Sequence, residues 1–274
     1  MKKKLPLISC ICITRNRPGM LSRIIECFEE QTYPNKELLV LYEDTDEMTK
    51  SWVSSIRSRP GIRFLEVFGS PKQTLGTLRN YAIEKSAGEY VCQWDDDDWY
   101  HFRRLEQQYD HIRVSGKSGV ILKRWVIFDG VNCRGYISNS RLWEGSLLYR
   151  KGNVLKTGYS DLERGEDAEP IVRLRDMGQL AHIEDHPSLY IYNYHGCNSW
   201  NYDNWRTIFD YGLPLSKQDS IMLKYILDGK YTLVNASILL DEMVGYYFDK
   251  NRANKRIPFP LRYRGTSPDL YRPL

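Results

Sequence analysis

Between residues 5 and 94 the sequence switches repeatedly between two hydrophobic periods, and this constrains the fold more than any other feature. LPLISCICIT (5–14) is a near-continuous apolar run, as in a strand buried on both faces. Pro18 then opens a helix with Met20, Leu21, Ile24, Ile25 and Phe28 on one face. ELLVLYE (37–43) is a second buried strand, MTKSWVSSIRS (48–58) a short helix stopped at Pro60-Gly61, and IRFLEVF (62–68) a third strand. QTLGTLRNYAIEKSAG (73–88) turns Leu75, Leu78, Ala82 and Ile83 inward, and EYVCQW (89–94) is the fourth strand.

Strand–helix repeats of this length predict right-handed crossovers and an α/β fold with a mostly parallel, Rossmann-like central sheet flanked by helices. Ligands of such sheets bind beyond the carboxyl ends of the strands. The polar residues expected at that edge are Thr14, Arg15 and Asn16, then Glu43-Asp44, then Asp95 to Asp98. Past residue 100 the alternation weakens. HFRRLEQQYDHIRV (101–114) reads as a helix, and GVILKRWVIFDG, CRGYIS and GSLLYR as strands of mixed direction. EDAEPIVRLRDMG (166–178) is a helix, QLAHIE and SLYIYNY are strands, and DEMVGYYFDK closes a C-terminal helix. The expected organisation is a ligand-binding half over 1–100, a mixed half over 101–212, and a helical extension with a basic tail over 213–274.

A net charge of +4 is too small to point to nucleic acid. MKKKLPLISCICITRNRP resembles a signal peptide only superficially, and no stretch approaches the length of a membrane span. The six cysteines include no CxxC pair and are read as reduced core or near-core thiols, with Cys10 and Cys12 on one strand face. These features fit a cytoplasmic chain. The last 24 residues carry six Lys/Arg against one Asp, a tail suited to peripheral contact with an anionic membrane face, to a solvated end or to an oligomer contact.

QWDDDDWY (93–100) places four carboxylates in a row between tryptophans. On an extended strand end Asp95 and Asp97 face one way, Asp96 and Asp98 the other. Two carboxylates this close need a cation, and a divalent ion, Mn2+ or Mg2+, bound through oxygen would supply it with a diphosphate completing the shell. The plainer alternative is an acidic turn capping the helix that follows.

ISCICITRNRP, QTYPNKELLVLYED, LRNYAIEKSAGEYVCQWDDDDWYHFRRL and GEDAEPIVRL, in that order and spacing, resemble family 2 glycosyltransferases of the GT-A fold. The resemblance implies an inverting, metal-dependent transfer of a sugar from a nucleotide-diphosphate sugar, UDP-linked first, to an acceptor hydroxyl in surface polysaccharide or glycolipid synthesis. The acceptor would be a carbohydrate or a lipid-linked saccharide. It implies Asp95 and Asp97 at the metal, Asp96 at the ribose or diphosphate, and Asp44 on the nucleobase imide. Asp98 is left to cap the next helix. Thr14, Arg15 and Asn16 would line the donor site, with Arg15 where the family often has a tyrosine, and Arg79 would neutralise phosphate. Asp167 would be the general base, Glu166 its helper, and His195 a further metal ligand. Trp99, Trp143 and Trp200 are candidate sugar or acceptor contacts, with core packing as the alternative. A metal-dependent nucleotidyl or phosphoryl transferase would use the same acids but finds no GxxxxGK[ST] loop. A sugar-binding module without catalysis has no need of Glu166-Asp167.

Overall fold

The computed structural model describes residues 4–153 and 158–253. The first half follows the predicted alternation: β1 (Ile8–Ile13), α1 (Pro18–Glu29), β2 (Lys36–Glu43), α2 (Glu47–Ser55), β3 (Ile62–Val67), α3 (Leu75–Lys85) and β4 (Tyr90–Gln93). There follow β5 (Trp99–Tyr100), α4 (Arg104–Ser115), β6 (Gly119–Leu122), β7 (Val126–Asp129), β8 (Arg134–Ile137) and β9 (Leu148–Arg150). The remainder is α5 (Ala168–Asp176), β10 (Leu180–Ile183), β11 (Tyr190–Tyr194), α6 (Tyr202–Asp210), β12 (Leu213–Pro214), α7 (Lys217–Leu227) and α8 (Leu233–Ala253).

Among the described residues the strands form two sheets. The main sheet runs β10-β6-β9-β4-β1-β2-β3, parallel except for β9, which lies antiparallel between β4 and β6. The chain winds outward from β1 through β2 and β3, then returns to place β4 on the other side of β1. That reversal opens the crevice in which such sheets bind ligands. The strand period sorts the core into two. Cys10, Cys12, Leu38 and Val40 join one apolar cluster, and Ile11, Leu39 and Leu41 join the other beneath α3. Each fully buried Leu or Ile contributes about 1.5–3 kcal/mol, so two-sided burial fixes this register.

The second sheet, β12-β8-β7-β11-β5, takes its strands from both sides of the site. The run read as one strand over 119–130 is two. β6 stays in the main sheet, while β7 leaves it at Lys123–Trp125, where the Trp125 N–H is taken by Ser138 Oγ. The chain leaves the main sheet in the same way between β4 and β5, and the four aspartates are that crossing.

Helix α6 is additional to the expected elements, whereas α7 and α8 fall within the helical extension expected beyond 212, with DEMVGYYFDK (241–250) in the second half of α8. Beyond residue 212, β12 pairs with β8, and Leu223, Ile226, Leu233 and Leu240 bury themselves in the same cluster as β1. The basic tail beyond 253 lies outside the described residues. Among the described residues no helix is long and apolar enough to cross a membrane.

Candidate functional site

Thr14 follows β1 and Asp96 follows β4, and the two meet: Thr14 Oγ1 donates to Asp96 Oδ2 at 2.7 Å. This contact marks the floor of a cleft of about 650 Å³ whose lining includes Thr14, Arg15, Arg17, Asp95 to Asp98, Glu166 and Asp167. Of the acids expected at one sheet edge, Glu43 and Asp95 to Asp98 line this cleft and Asp44 does not.

Each of the four aspartates has its own partners. Asp95 accepts from Arg79 Nη2 at 2.8 Å and Gln93 Nε2 at 3.0 Å. Asp96 takes Thr14 and, at 3.3 Å, Arg17 Nη1. Asp97 Oδ2 gathers Arg17 Nη1 at 2.9 Å, His195 Nε2 at 3.1 Å and Asn198 Nδ2 at 3.3 Å. Asp98 is fully buried, bonded to the Tyr190 hydroxyl and, at 3.0 Å, to the Asn193 N–H. It caps no helix; α4 starts after Arg103 without a side-chain cap. Asp98 instead ties the crossing to β11.

These partners explain how four acids coexist. Burial, then the charge of Asp97, pushes the Asp96 carboxyl up to about 7 against the pull of Thr14 and Arg17. Burial and its acidic neighbours also raise Asp98 well above the ordinary carboxylate value. Burial would raise Asp97 too, but the His195 hydrogen bond and the Arg17 charge hold it below the ordinary carboxylate value.

A carboxylate oxygen and an imidazole nitrogen 3.1 Å apart, Asp97 and His195, suit a small divalent cation. Asp95 does not join them as expected, because Arg79 and Gln93 hold its oxygens. Among the described residues no three His, Cys, Asp or Glu side chains form a ready cage, so a cation here would draw its other ligands from substrate.

Across the cleft Asp167 precedes α5. Its side chain makes no capping bond and is mostly buried in the cleft wall. Burial, then the Glu166 and Glu144 carboxylates, raises its proton affinity well above that of an ordinary aspartate. Glu166 is buried and accepts from Arg79 Nε at 2.9 Å. Arg79 was expected to meet phosphate; it is only 5 % exposed, and Asp95 and Glu166 take its Nη2 and Nε. Burial disfavours its charge, but these carboxylates keep it protonated.

At the β1–β2 end the structure separates the expected donor-site residues. Arg15 lines the cleft. Asn16 does not; it adopts a left-handed φ of 55° and donates its N–H to Asp46, shaping the turn. Asp44 also lies off the lining, its Oδ1 accepting the Gly69 N–H at 2.8 Å. Its neighbour Glu43 lines the cleft, 4 % exposed, with Oε1 unpartnered and Oε2 3.8 Å from Arg15 Nε. Strand period 2, which sets Glu43 on the face of Leu39 and Leu41, was the signal that could have found it.

The far end of the cleft is an aromatic wall. Trp143 stacks on Trp125 at 4.6 Å, Trp125 on Tyr190 at 4.4 Å, and Tyr192 on Trp205 at 4.2 Å. Trp200, 43 % exposed, stands at the rim with Arg164 over its ring at 5.8 Å. Trp99 is core: it is 2 % exposed and off the lining. Cys197 likewise departs from expectation, being exposed, while Cys10, Cys12, Cys27 and Cys92 are buried; none of the six is paired. Arg17, Arg141 and Glu144 were not foreseen at the site. Arg17 follows the same strand end as Thr14 and was legible from that rule; Arg141 and Glu144 lie between strands whose sheet the sequence does not reveal.

The model of the glycosyl transferase family 2 matches residues 9–163. The amylovoran biosynthesis glycosyltransferase AmsB of Erwinia amylovora is 28 % identical over 110 residues, 39 % of this chain and 36 % of that protein. The cholesterol galactosyltransferase of Borreliella burgdorferi is 23 % identical over 137 residues, 48 % of this chain and 36 % of its own. The chain thus spans about a third of the length of these two relatives. Among solved structures, S. aureus TarS 1-349 in complex with UDP-GlcNAc superimposes with a TM-score of 0.57 at 16 % identity, over 92 % of this chain and 76 % of that one. The mannosyltransferase PcManGT of Pyrobaculum calidifontis, in complex with GDP-Man and Mn2+, gives 0.54 at 14 % identity, over 91 % and 76 %. The fold is that of GT-A glycosyltransferases.

Proposed function

The chain belongs to glycosyl transferase family 2, and on that premise we propose that it moves a sugar from a UDP-sugar to a saccharide hydroxyl with inversion. The observation that carries this reading is Asp167: a carboxylate with raised proton affinity, free of capping duty, on the same cleft as the aspartate crossing.

The nucleobase lies against Arg15 and Glu43. Glu43 has one orphaned oxygen, which suits the single imide N–H of uracil, whereas guanine offers two adjacent N–H donors and would draw on both oxygens. Arg15 donates to a base carbonyl or stacks on the ring. The diphosphate reaches toward Asp97 and His195, the residues that would hold a divalent cation. Such a cation, when bound, neutralises the departing diphosphate.

Asp167 takes the proton of the acceptor hydroxyl as that oxygen attacks the anomeric carbon. One displacement from the face opposite the leaving group inverts that carbon and needs no covalent intermediate. Glu166, fixed by Arg79, lies beside Asp167 and raises the proton affinity of its carboxyl. Tyr192, backed by the buried Trp125 and Trp143, accepts the apolar face of an acceptor sugar, and the exposed Trp200 closes the rim. The basic tail is proposed to meet an anionic lipid surface where a lipid-linked acceptor would sit.

Calorimetric titration of UDP, GDP and TDP, with and without Mn2+, tests the reading. UDP binding that is tightest of the three and that disappears on Asp97→Ala supports it. Absence of binding by all three under any metal removes it.

A further inference from the structure

The turn after β1 ends on Arg17, whose side chain bridges two parts of the site. Nη1 donates to Asp97 Oδ2 at 2.9 Å and lies 3.3 Å from Asp96 Oδ1. Nη2 donates to the Cys197 carbonyl at 2.8 Å. Cys197 belongs to the turn after β11 that also carries His195, Asn198 and Trp200. One guanidinium therefore holds this turn against the aspartate crossing.

The arrangement is closed to a second cation. Asp97 Oδ2 already receives Arg17, His195 and Asn198. The Cys197 N–H also lies 3.4 Å from His195 Nδ1, so the imidazole is held between this turn and Asp97. A divalent ion at Asp97 would also stand against the guanidinium as a like charge. The same contacts that exclude the ion hold the Cys197 turn in place.

Resting on the donor-site reading above, we propose that Arg17 is the resting counter-ion of the Asp96–Asp97 pair, that a divalent cation arriving with nucleotide diphosphate replaces it on Asp97, and that this exchange frees the 195–200 turn. Departure of Arg17 releases the Cys197 carbonyl. The turn then shifts, carrying His195 and Asn198 with it. Trp200 rides on the same turn, so donor binding resets the rim that an acceptor meets. The displaced guanidinium remains beside the donor phosphates as a second positive charge.

Two measurements on the full chain test this. Mn2+ is titrated calorimetrically, alone and with UDP, into wild type, Arg17→Gln, Arg17→Lys and Asp97→Asn. Removing the competing charge is expected to tighten Mn2+ binding in the absence of nucleotide by about tenfold or more in Arg17→Gln, with Arg17→Lys between, and Asp97→Asn binding none. Alkylation of Cys197 is then timed in a Cys133→Ser background, the four other cysteines being buried. Mn2+ with UDP should accelerate it severalfold when Arg17 is present, whereas Arg17→Gln should react fast with or without metal. Asp97-dependent Mn2+ binding that is equally tight in wild type and Arg17→Gln overturns the exchange and leaves the donor site standing. No Mn2+ binding in any variant removes both. An alkylation rate that never changes overturns release of the turn.

Discussion

Arg79 Nε and Glu166 Oε1 meet 2.9 Å apart in the buried wall of the cleft, and the other arm of the same guanidinium reaches Asp95 at 2.8 Å. One cation thus fixes the start of the aspartate crossing to the residue beside the proposed base. Breaking a buried pair from one side leaves a charge without compensation, which costs roughly 3–5 kcal/mol. Arg79→Met is expected to lose that much in urea unfolding. Adding Glu166→Gln should restore part of it, giving a double-mutant coupling of at least about 1 kcal/mol. Additive losses would mean that the two side chains do not act as a pair.

The first four strands and three helices were legible because two-sided burial writes itself as apolar runs, and α1 and α3 show one apolar face each. The placement of Thr14 and the aspartates followed from the rule that ligands collect at strand ends. The second sheet was not legible. Its strands are two to five residues long, and GVILKRWVIFDG carries no turn residue at the point where the chain changes sheets. The same limit hid the roles of Asp98 and Trp99. A buried carboxylate bonded to Tyr190 and a core tryptophan look, in sequence, like members of an exposed acidic site. The sequence also left Glu43 and Asp44 side by side with no means of choosing beyond strand parity.

That choice is measurable. A hydrogen bond to a charged group contributes about 1.5–3 kcal/mol, or roughly 10- to 100-fold in affinity. Glu43→Gln should weaken UDP binding by that factor in a calorimetric titration. Asp44→Asn should weaken it less than about threefold, because Asp44 serves the Gly69 N–H rather than the cleft. The reverse ranking would return the nucleobase to Asp44.

Asp167 acts only when ionised, and burial with Glu166 and Glu144 raises its proton affinity. Activity is therefore expected to be present above that raised value and to fall as the pH drops through it, at a pH well above the ordinary aspartate value of about 3.9. Glu144→Gln removes one raising charge and should move the acid limb of kcat to lower pH. Asp167→Asn should lower kcat by about 10²- to 10⁴-fold with little change in UDP affinity. A limb that stays in place in Glu144→Gln would assign it to another group.

Gly76 in α3 is the point where the helix touches the segment leading to the base. A Cβ built there would lie 1.8 Å from the Ser160 carbonyl oxygen and 3.1 Å from Glu166 Cβ. The Gly76 N–H also donates to the Leu162 carbonyl at 3.1 Å, so the two backbones are held in contact. In an open helix Gly→Ala would gain about 1 kcal/mol from propensity. Here one side of the clash is backbone and cannot rotate away, so α3 or the 158–166 segment must move. Gly76→Ala is expected to lose about 1–3 kcal/mol in thermal unfolding and to lower kcat more than it weakens UDP binding, since the displaced segment carries Glu166 and Asp167. A stabilised Gly76→Ala with full turnover would show that the base does not depend on this contact.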